Sequence, residues 1–326
     1  MIILGAGMSG CLAGIMNSSA QIIEAKEEKD FLKAPEHRAV LRFRSDKISR
    51  ITGIPFKKVQ VRKSIWYDNR EYRLPDIRFT NMYSRKVSGG YSSRSIVNLD
   101  TVERWIPPDD FHSKLLRQCA GRIRYGLKVI GITDNCVNYM PALKPLGRAG
   151  IPVLSTLAVP IMAKILNMES PVEFTKGSRI NVARYRIKGC DLNLSMYYPS
   201  PDVHVYRASV MGDLLSIEMI DDGDNRVIES QMVIDSLGID SSDVEMIDFG
   251  PQIGKINYSN WNDNERKNWI LNLTMKYGIY SLGRFAIWKN ILQDDVYEDI
   301  LKIREFLLAS THYDMFKALH TNGPNA

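Results

Sequence analysis

The chain has 326 residues, of which 44% are hydrophobic and 25% charged, and a formal net charge of +6. This composition, free of low-complexity runs, describes a folded chain of one or two domains and excludes a disordered or fibrous one. No apolar stretch nears the roughly eighteen residues of a membrane span, and the four cysteines and five histidines are too scattered for a metal site.

The first strand starts at Met1 with no basic stretch before it, so no signal peptide is expected. Cys11, Cys119, Cys136 and Cys190 read as reduced thiols of a cytoplasmic protein. Met1-Ile2-Ile3-Leu4 is a short apolar run, and Gly5-Ala6-Gly7-Met8-Ser9-Gly10 follows at once. Small and apolar residues continue through Met16, and Gln21-Ile22-Ile23 ends on Glu24. This is the strand, glycine turn, helix, strand and acid of a dinucleotide-binding βαβ unit. Gly5 is expected to permit the tight turn, Gly7 to let a pyrophosphate approach the backbone, and Gly10 to bring the helix close to the sheet. The helix start offers unpaired N–H groups and partial positive charge to phosphates. Glu24 lies about twenty residues on, where a carboxylate accepts ribose hydroxyls. Met8, Ser9, Ala25 and Lys26 complete this candidate site.

From Arg38 to Arg94 the chain carries fifteen Lys or Arg against four acids, a local net charge of +11. Such a block attracts polyanions. Cofactor phosphates could use two or three of these cations. The rest are either a solvated basic face or a surface for a phosphorylated or nucleic-acid substrate. The interleaved Phe43, Phe56, Trp66, Tyr67, Tyr72, Phe79, Tyr83 and Tyr91 favour stacking on bases or sugars.

Within this block, Arg38 to Arg44 alternates as a strand with a charged face. Asp46 to Thr52 reads as a short helix closed by Gly53. Lys57 to Tyr67 reads as a strand, Asp68-Asn69 as a turn, and Tyr72-Arg73-Leu74 as its hairpin partner. Ser88-Gly89-Gly90 is a break. Pro107-Pro108-Asp109-Asp110 precedes a helix from Phe111 to Cys119. Residues 126–132 and 136–139 read as strands, and 161–166 as a helix. Residues 180–187, 190–198, 203–211 and 214–219 read as four strands of a meander. A helix over 229–237 and a strand over 243–249 follow. The last helix is expected to start at Asp295, with Asp295 as N-cap and Glu298 completing a capping box.

Ser281-Leu282-Gly283-Arg284-Phe285-Ala286-Ile287-Trp288, followed by Leu292-Gln293-Asp294-Asp295 at a helix start, resembles the closing flavin motif of the UDP-galactopyranose mutase and amine-oxidase group. Val153-Leu154-Ser155-Thr156-Leu157-Ala158-Val159-Pro160, before a helix, is similar to the crossover turn of that group. The resemblance implies an α/β fold: a Rossmann-type FAD-binding domain with a smaller, antiparallel-sheet substrate domain. The first is expected over 1–37 and 220–326 with 134–168, the second over 38–133 and 169–219. The resemblance further implies FAD, expected to be non-covalent because no Cys or His stands in a recognisable covalent-flavin context. Gly283 and Arg284 then meet the pyrophosphate, Ser155 and Thr156 lie beside the FAD, and Asp294, Asp295 and Val296 open the helix that faces the flavin's pyrimidine edge. The group's second glycine-rich stretch is missing; Pro35-Glu36-His37-Arg38 stands near its place, and whether Arg38 or Arg42 substitutes there by reaching the phosphates is open.

The activity implied is hydride transfer to flavin N5 from a carbon bearing nitrogen or oxygen, in an amine oxidase-like oxidoreductase. Substrate-side candidates are Tyr197, Tyr198, Tyr206 and Arg207 on the meander, with Trp288 and Lys289 after the arginine turn. Tyr198, Arg207, Trp288 and Lys289 are taken as the catalytic set, each with a packing or surface role as its alternative. Similar short flavoproteins occur in bacteriophages, some of which hypermodify thymine in their DNA. The anionic substrate is accordingly expected to be a modified base in DNA, a nucleotide or another anion. A non-redox mutase acting on a nucleotide-sugar is the alternative, and a binding protein that retains the fold is a third.

Overall fold

The computed structural model describes residues 1–29, 40–88, 96–133, 136–141, 146–147, 150–174, 179–220, 226–253, 256 and 261–321. Arg38, Tyr91 and Arg94 lie outside the described residues.

The first unit forms as its pattern requires. Ile2–Leu4 (β1) is buried throughout, Met8–Met16 (α1) follows the glycine turn, and Gln21–Ile23 (β2) returns parallel to β1. Lys47–Thr52 (α2) ends on Gly53, which takes the left-handed conformation at φ 66°. Lys57–Tyr67 (β3) and Arg70–Tyr72 (β4) form a hairpin. Its turn residues Asp68 and Asn69 adopt φ of 51° and 55°, which their short polar side chains tolerate. Ile77–Ser88 (α3), Val102–Ile106 (β5), Phe111–Gln118 (α4) and Ile123–Arg124 (β6) follow. Next come Lys128–Ile132 (β7), Cys136–Met140 (β8), Leu146–Gly147 (β9), Val153–Ser155 (β10) and Val159–Ile165 (α5).

Four longer strands then run in sequence: Arg179–Ile187 (β11), Leu192–Tyr197 (β12), Val205–Gly212 (β13) and Leu214–Ile220 (β14). Arg226–Ser236 (α6), Val244–Ile253 (β15), Asp263–Tyr277 (α7), Ile279–Ser281 (β16) and Gln293–Thr321 (α8) complete the chain.

Two large sheets organise these elements. The first is parallel, in the order β16-β10-β1-β2-β6. Both of its faces are covered, as parallel sheets require. Ile3, Ile22 and Leu154 pack with Leu12 of α1, Leu115 of α4 and Ile300 of α8. On the other face Ile2, Leu4, Val153 and Ile279 meet Met162 of α5, Leu273 of α7 and Tyr139 of the small β7-β8-β9 sheet. The second sheet runs β15-β11-β14-β13-β12-β3-β4, with β5 also on β3. Val233 and Ile234 of α6 cover one face, and Phe79 and Tyr83 of α3 cover part of the other.

Several expectations need correction. The strands over 179–220 are not a simple meander: β12, β13 and β14 pair in order, but β11 pairs with β14. The outer edge of β12 is taken by β3 in parallel register, Leu194 opposite Arg62. Residues 244–253 pair along β11 in the second sheet, and β6 pairs with β2 in the first. Residues 40–44 make one bridge, Phe43 to Trp105, instead of a strand. Two helices, α3 and α7, were not anticipated. The second carries its signal in plain sight: Asn262 and Glu265 form a reciprocal capping box, and Gly278 closes the helix at φ 59°.

Candidate dinucleotide site

A cleft of about 560 Å³ separates the two sheets, within the range of small-molecule sites. Gly7, Met8, Ser9, Thr156, residues 282–285 and the start of α8 line one wall. Arg42, Ser195, Arg207 and Ser209 line the other. The glycine turn and the closing motif, some 275 residues apart in sequence, therefore share one site.

The three glycines of the turn differ in what they do. Gly5 sits at φ 95°, and a Cβ there would lie 2.5 Å from Thr156 Oγ1. Thr156 is fixed in that position because its hydroxyl and its amide both donate to Leu4 O, at 2.7 and 3.0 Å. A Cβ on Gly10 would run into the Gly5 carbonyl, so this glycine sets the approach of α1 to β1. Gly7 is the exception. Its backbone is extended (φ −65°, ψ 174°), and a Cβ there meets nothing within 4 Å. As N-cap of α1 it offers no side-chain acceptor, and the first turn holds no acid. The amides at this helix end thus lack a side-chain cap, a favourable setting for an anion.

Glu24 is 8% exposed and braces the back of the turn. Its two oxygens accept from Ala6 N at 2.8 Å and Lys26 N at 2.9 Å. Each carboxylate oxygen keeps a second acceptor position, so a ribose hydroxyl would meet a group already oriented. Ala25 and Lys26 are exposed beside it. Ala6 O in turn accepts from the Cys11 thiol at 3.1 Å and lies 3.2 Å from His112 Nε2.

At the far end, Leu282 N donates to Ser155 O at 2.8 Å, leading the chain into Gly283 at φ 90°. A Cβ on Gly283 would stand 3.0 Å from Ser9 Oγ, so the two motifs are in close contact. Arg284 lies over the Phe285 ring, 5.4 Å from its centroid. Helix α8 begins at Gln293, earlier than expected, and Asp295 is not its N-cap. Asp295 sits one turn in and accepts from Leu292 N at 2.8 Å, the returning half of a capping box. Glu298 instead pairs with Lys47 at 2.6 Å. Asp294 accepts from Arg44 N at 3.0 Å, and the Arg44 guanidinium pairs with Asp295. These acids tie the segment after residue 40 to the helix start. Val296 lines the cleft from the core, whereas Ser155 is buried, its hydroxyl accepting from Leu157 N at 3.2 Å.

On the opposite wall, Arg42 donates to Ser195 Oγ at 2.6 Å, Leu194 O at 2.9 Å and Val210 O at 2.6 Å. Its Nε is buried and finds no partner among the described residues. Burial, and then repulsion from Arg207, press its pKa down to about 10. Arg207 grips Glu218 with two bonds, at 3.0 and 2.5 Å. The wall thus presents two guanidinium groups and one carboxylate partner, and a bound anion would relieve the mutual repulsion.

Of the four residues expected to do catalysis, Arg207 alone lines the cleft. Tyr198 is 1% exposed beneath α6, its hydroxyl 2.7 Å from Ser236 Oγ. Strand alternation explains this: Tyr197, opposite Arg207, shares that residue's face, and Tyr198 points the other way. Tyr197 itself packs edge-on against Tyr83, and Tyr206 is buried in the same cluster. Trp288 is 3% exposed and packs in a core cluster, its ring 5.2 Å from that of Phe174. Lys289 is exposed and does not line the cleft.

The basic segment is more internally paired than its composition implied. Lys57 meets Asp191 at 3.0 Å, Lys58 Glu103 at 2.8 Å, Arg73 Glu71 at 2.9 Å and Arg78 Asp76 at 3.2 Å. Lys86 donates to the carbonyls of Tyr198, Ser200 and Val205. Phe43, Phe79 and Tyr83 are core residues, and Phe56, Trp66, Tyr67 and Tyr72 pack against the core.

No family model and no curated protein matches the chain. Solved structures do. Reduced UDP-galactopyranose mutase is similar with a TM-score of 0.68 at 12% identity, over 95% of this chain and 94% of that one. A geranylgeranyl bacteriochlorophyll reductase-like protein from Thermoplasma acidophilum gives 0.54 at 12% identity, over 94% and 82%. The rebeccamycin biosynthetic enzyme RebC, in a structure with reduced flavin, gives 0.52 at 12% identity, over 87% and 55%. The chain therefore has their fold: a Rossmann-type α/β unit with a separate, largely antiparallel sheet. Among the described residues no helix is long and apolar enough to cross a membrane.

Proposed function

We propose that the chain is an FAD-dependent oxidoreductase acting on an anionic substrate. The observation that carries this reading is the meeting of two motifs at one cleft: the glycine turn at the start of α1, and Gly283-Arg284 with the start of α8. The open space at Gly7, which a side chain would fill, fits a pyrophosphate held against the backbone. A structure of the same fold with reduced flavin adds support.

Bound here, FAD would supply a hydride acceptor for a carbon bearing nitrogen or oxygen. The chain's own residues do the rest. The first amides of α1 and the Arg284 guanidinium hold the diphosphate. The start of α8 stabilises negative charge at the cleft's inner end. Arg42 and Arg207 orient an anionic group of the substrate, with Ser195 and Ser209 between them.

The test is direct. Purified protein supplied with FAD should bind it and absorb at about 375 and 450 nm. Anaerobic bleaching by an amine or alcohol bearing a carboxylate or phosphate supports the oxidoreductase. Protein that fails to bind FAD refutes the reading. The likeness to reduced UDP-galactopyranose mutase keeps one rival in view, a redox-neutral enzyme acting on a nucleotide-sugar. Turnover of such a sugar only after dithionite reduction would favour that rival.

A further inference from the structure

The Ala6 carbonyl is gripped from two helices, more than its burial alone requires. The Cys11 thiol of α1 donates to it at 3.1 Å, and His112 Nε2 of α4 lies 3.2 Å away. A carbonyl only accepts, so the imidazole carries a proton on Nε2, whether the ring is neutral or charged. His112 is half-buried, and its neighbour sets its place: Phe111 is buried and packs edge-on against Phe43 and Phe56, with ring centroids 5.8 and 5.3 Å away. One donor satisfies a buried carbonyl. Two, from different helices, occupy both lone pairs and fix the plane of the peptide.

That plane aims the Gly7 amide. The Ala6–Gly7 peptide is trans, so its C=O and N–H point in opposite directions. With Ala6 O turned in toward α1 and α4, the Gly7 N–H turns out, on the side where Gly7, Met8 and Ser9 line the cleft. The surrounding backbone groups are committed. Gly5 N donates to Ile23 O at 2.8 Å, Ala6 N donates to Glu24 at 2.8 Å, and Gly7 O accepts from Cys11 N at 2.9 Å. The Gly7 amide meets no backbone acceptor among the described residues. Donors on Ala6 O also polarise the peptide, which makes its N–H a stronger donor.

We propose, on the flavin reading above, that His112 is a positioning residue for the diphosphate of the bound nucleotide. It does not touch the ligand. It holds the Ala6–Gly7 peptide so that the Gly7 N–H is aimed at a phosphate oxygen. Helix α4 thereby contributes to ligand affinity although none of its residues lines the cleft.

ADP carries the diphosphate and adenosine carries none, so calorimetric titration of each into cofactor-free protein isolates the effect. The parent should bind ADP more tightly than adenosine. His112→Phe keeps the bulk of a ring and removes the donor. It should bind ADP about tenfold more weakly, the worth of one misaimed hydrogen bond, and adenosine as before. His112→Gln offers an N–H at a similar reach and should restore ADP binding to within about threefold of the parent. FAD affinity, read by flavin fluorescence, should follow that of ADP in all three proteins. A parent that does not bind FAD overturns the flavin reading and this proposal with it. With FAD bound by the parent, three results overturn the proposal alone: His112→Phe keeps the full preference for ADP, His112→Phe loses ADP and adenosine equally, or His112→Gln binds ADP no better than His112→Phe. If His112→Phe does not fold, His112→Ala takes its place in the same comparison.

Discussion

Replacing Gly7 by valine separates a residue needed for folding from one needed for a ligand. At φ −65° and ψ 174° the backbone accepts any side chain, and an added Cβ meets nothing within 4 Å. Protein without cofactor should therefore fold as before. Removing a glycine's freedom from the unfolded chain even favours folding, by about 0.4–1 kcal/mol where the conformation is compatible. Valine's methyl groups would project into the space where a diphosphate meets the first amides of α1. Losing two charge-assisted bonds, at about 1.5–3 kcal/mol each, costs about 3–6 kcal/mol, or roughly a hundredfold to ten-thousandfold in affinity. The assay pairs thermal unfolding of both cofactor-free proteins with titration of FAD by flavin fluorescence. Gly10→Ala serves as contrast, because its Cβ would strike the Gly5 carbonyl and must displace α1. That variant should melt earlier with or without flavin. If Gly7→Val binds FAD as the parent does, the diphosphate does not lie at this turn. If it unfolds several degrees early, Gly7 serves the fold, and the argument from open space fails.

Arg284→Ala should weaken FAD binding by about 1.5–3 kcal/mol in a calorimetric titration, the worth of one charge-assisted contact; an unchanged affinity would remove Arg284 from the diphosphate. Arg42→Ala withdraws the donor from Leu194 O, Val210 O and Ser195 Oγ. Urea unfolding should show a loss of about 1–3 kcal/mol for each acceptor left without water or another donor, and an unchanged midpoint would mean that this wall holds without it. Tyr198→Phe removes only the hydroxyl bonded to Ser236, so stability should fall by about 0.5–1.5 kcal/mol while turnover is unaffected. A large fall in turnover at unchanged stability would return Tyr198 to the site.

How much of this was legible in the sequence depended on how local each instruction was. Gly5, Gly7 and Gly10 act through their own backbone and nearest neighbours, so their spacing alone foretold the turn. Asp68-Asn69 and Gly53 are equally local, and both punctuate the chain as expected. Asp295 shows the limit: its carboxylate caps the helix, but from within the first turn, a distinction of three residues that composition does not encode. Tyr197 and Tyr198 show another limit. Adjacent strand residues face opposite ways, and the facing was fixed only by the register of β12 against Arg207 on β13. The basic segment shows a third limit. Lys57, Lys58 and Arg44 find their acids at Asp191, Glu103 and Asp295, and no local count of charges sees partners that distant.

The position of β16 has a consequence for how the molecule is made. It pairs with β10, although some 124 residues separate Ser155 from Ile279. A ribosome adding about 5–20 residues per second needs about 6–25 s to cover that interval. For that time the nascent sheet has β10 as an unguarded edge, the kind of surface on which neighbouring chains can template. Its brevity is a protection, since three residues give a stray strand little to hold. The same delay means that the two motifs lining the cleft come together only after residues 282–285 have been synthesised.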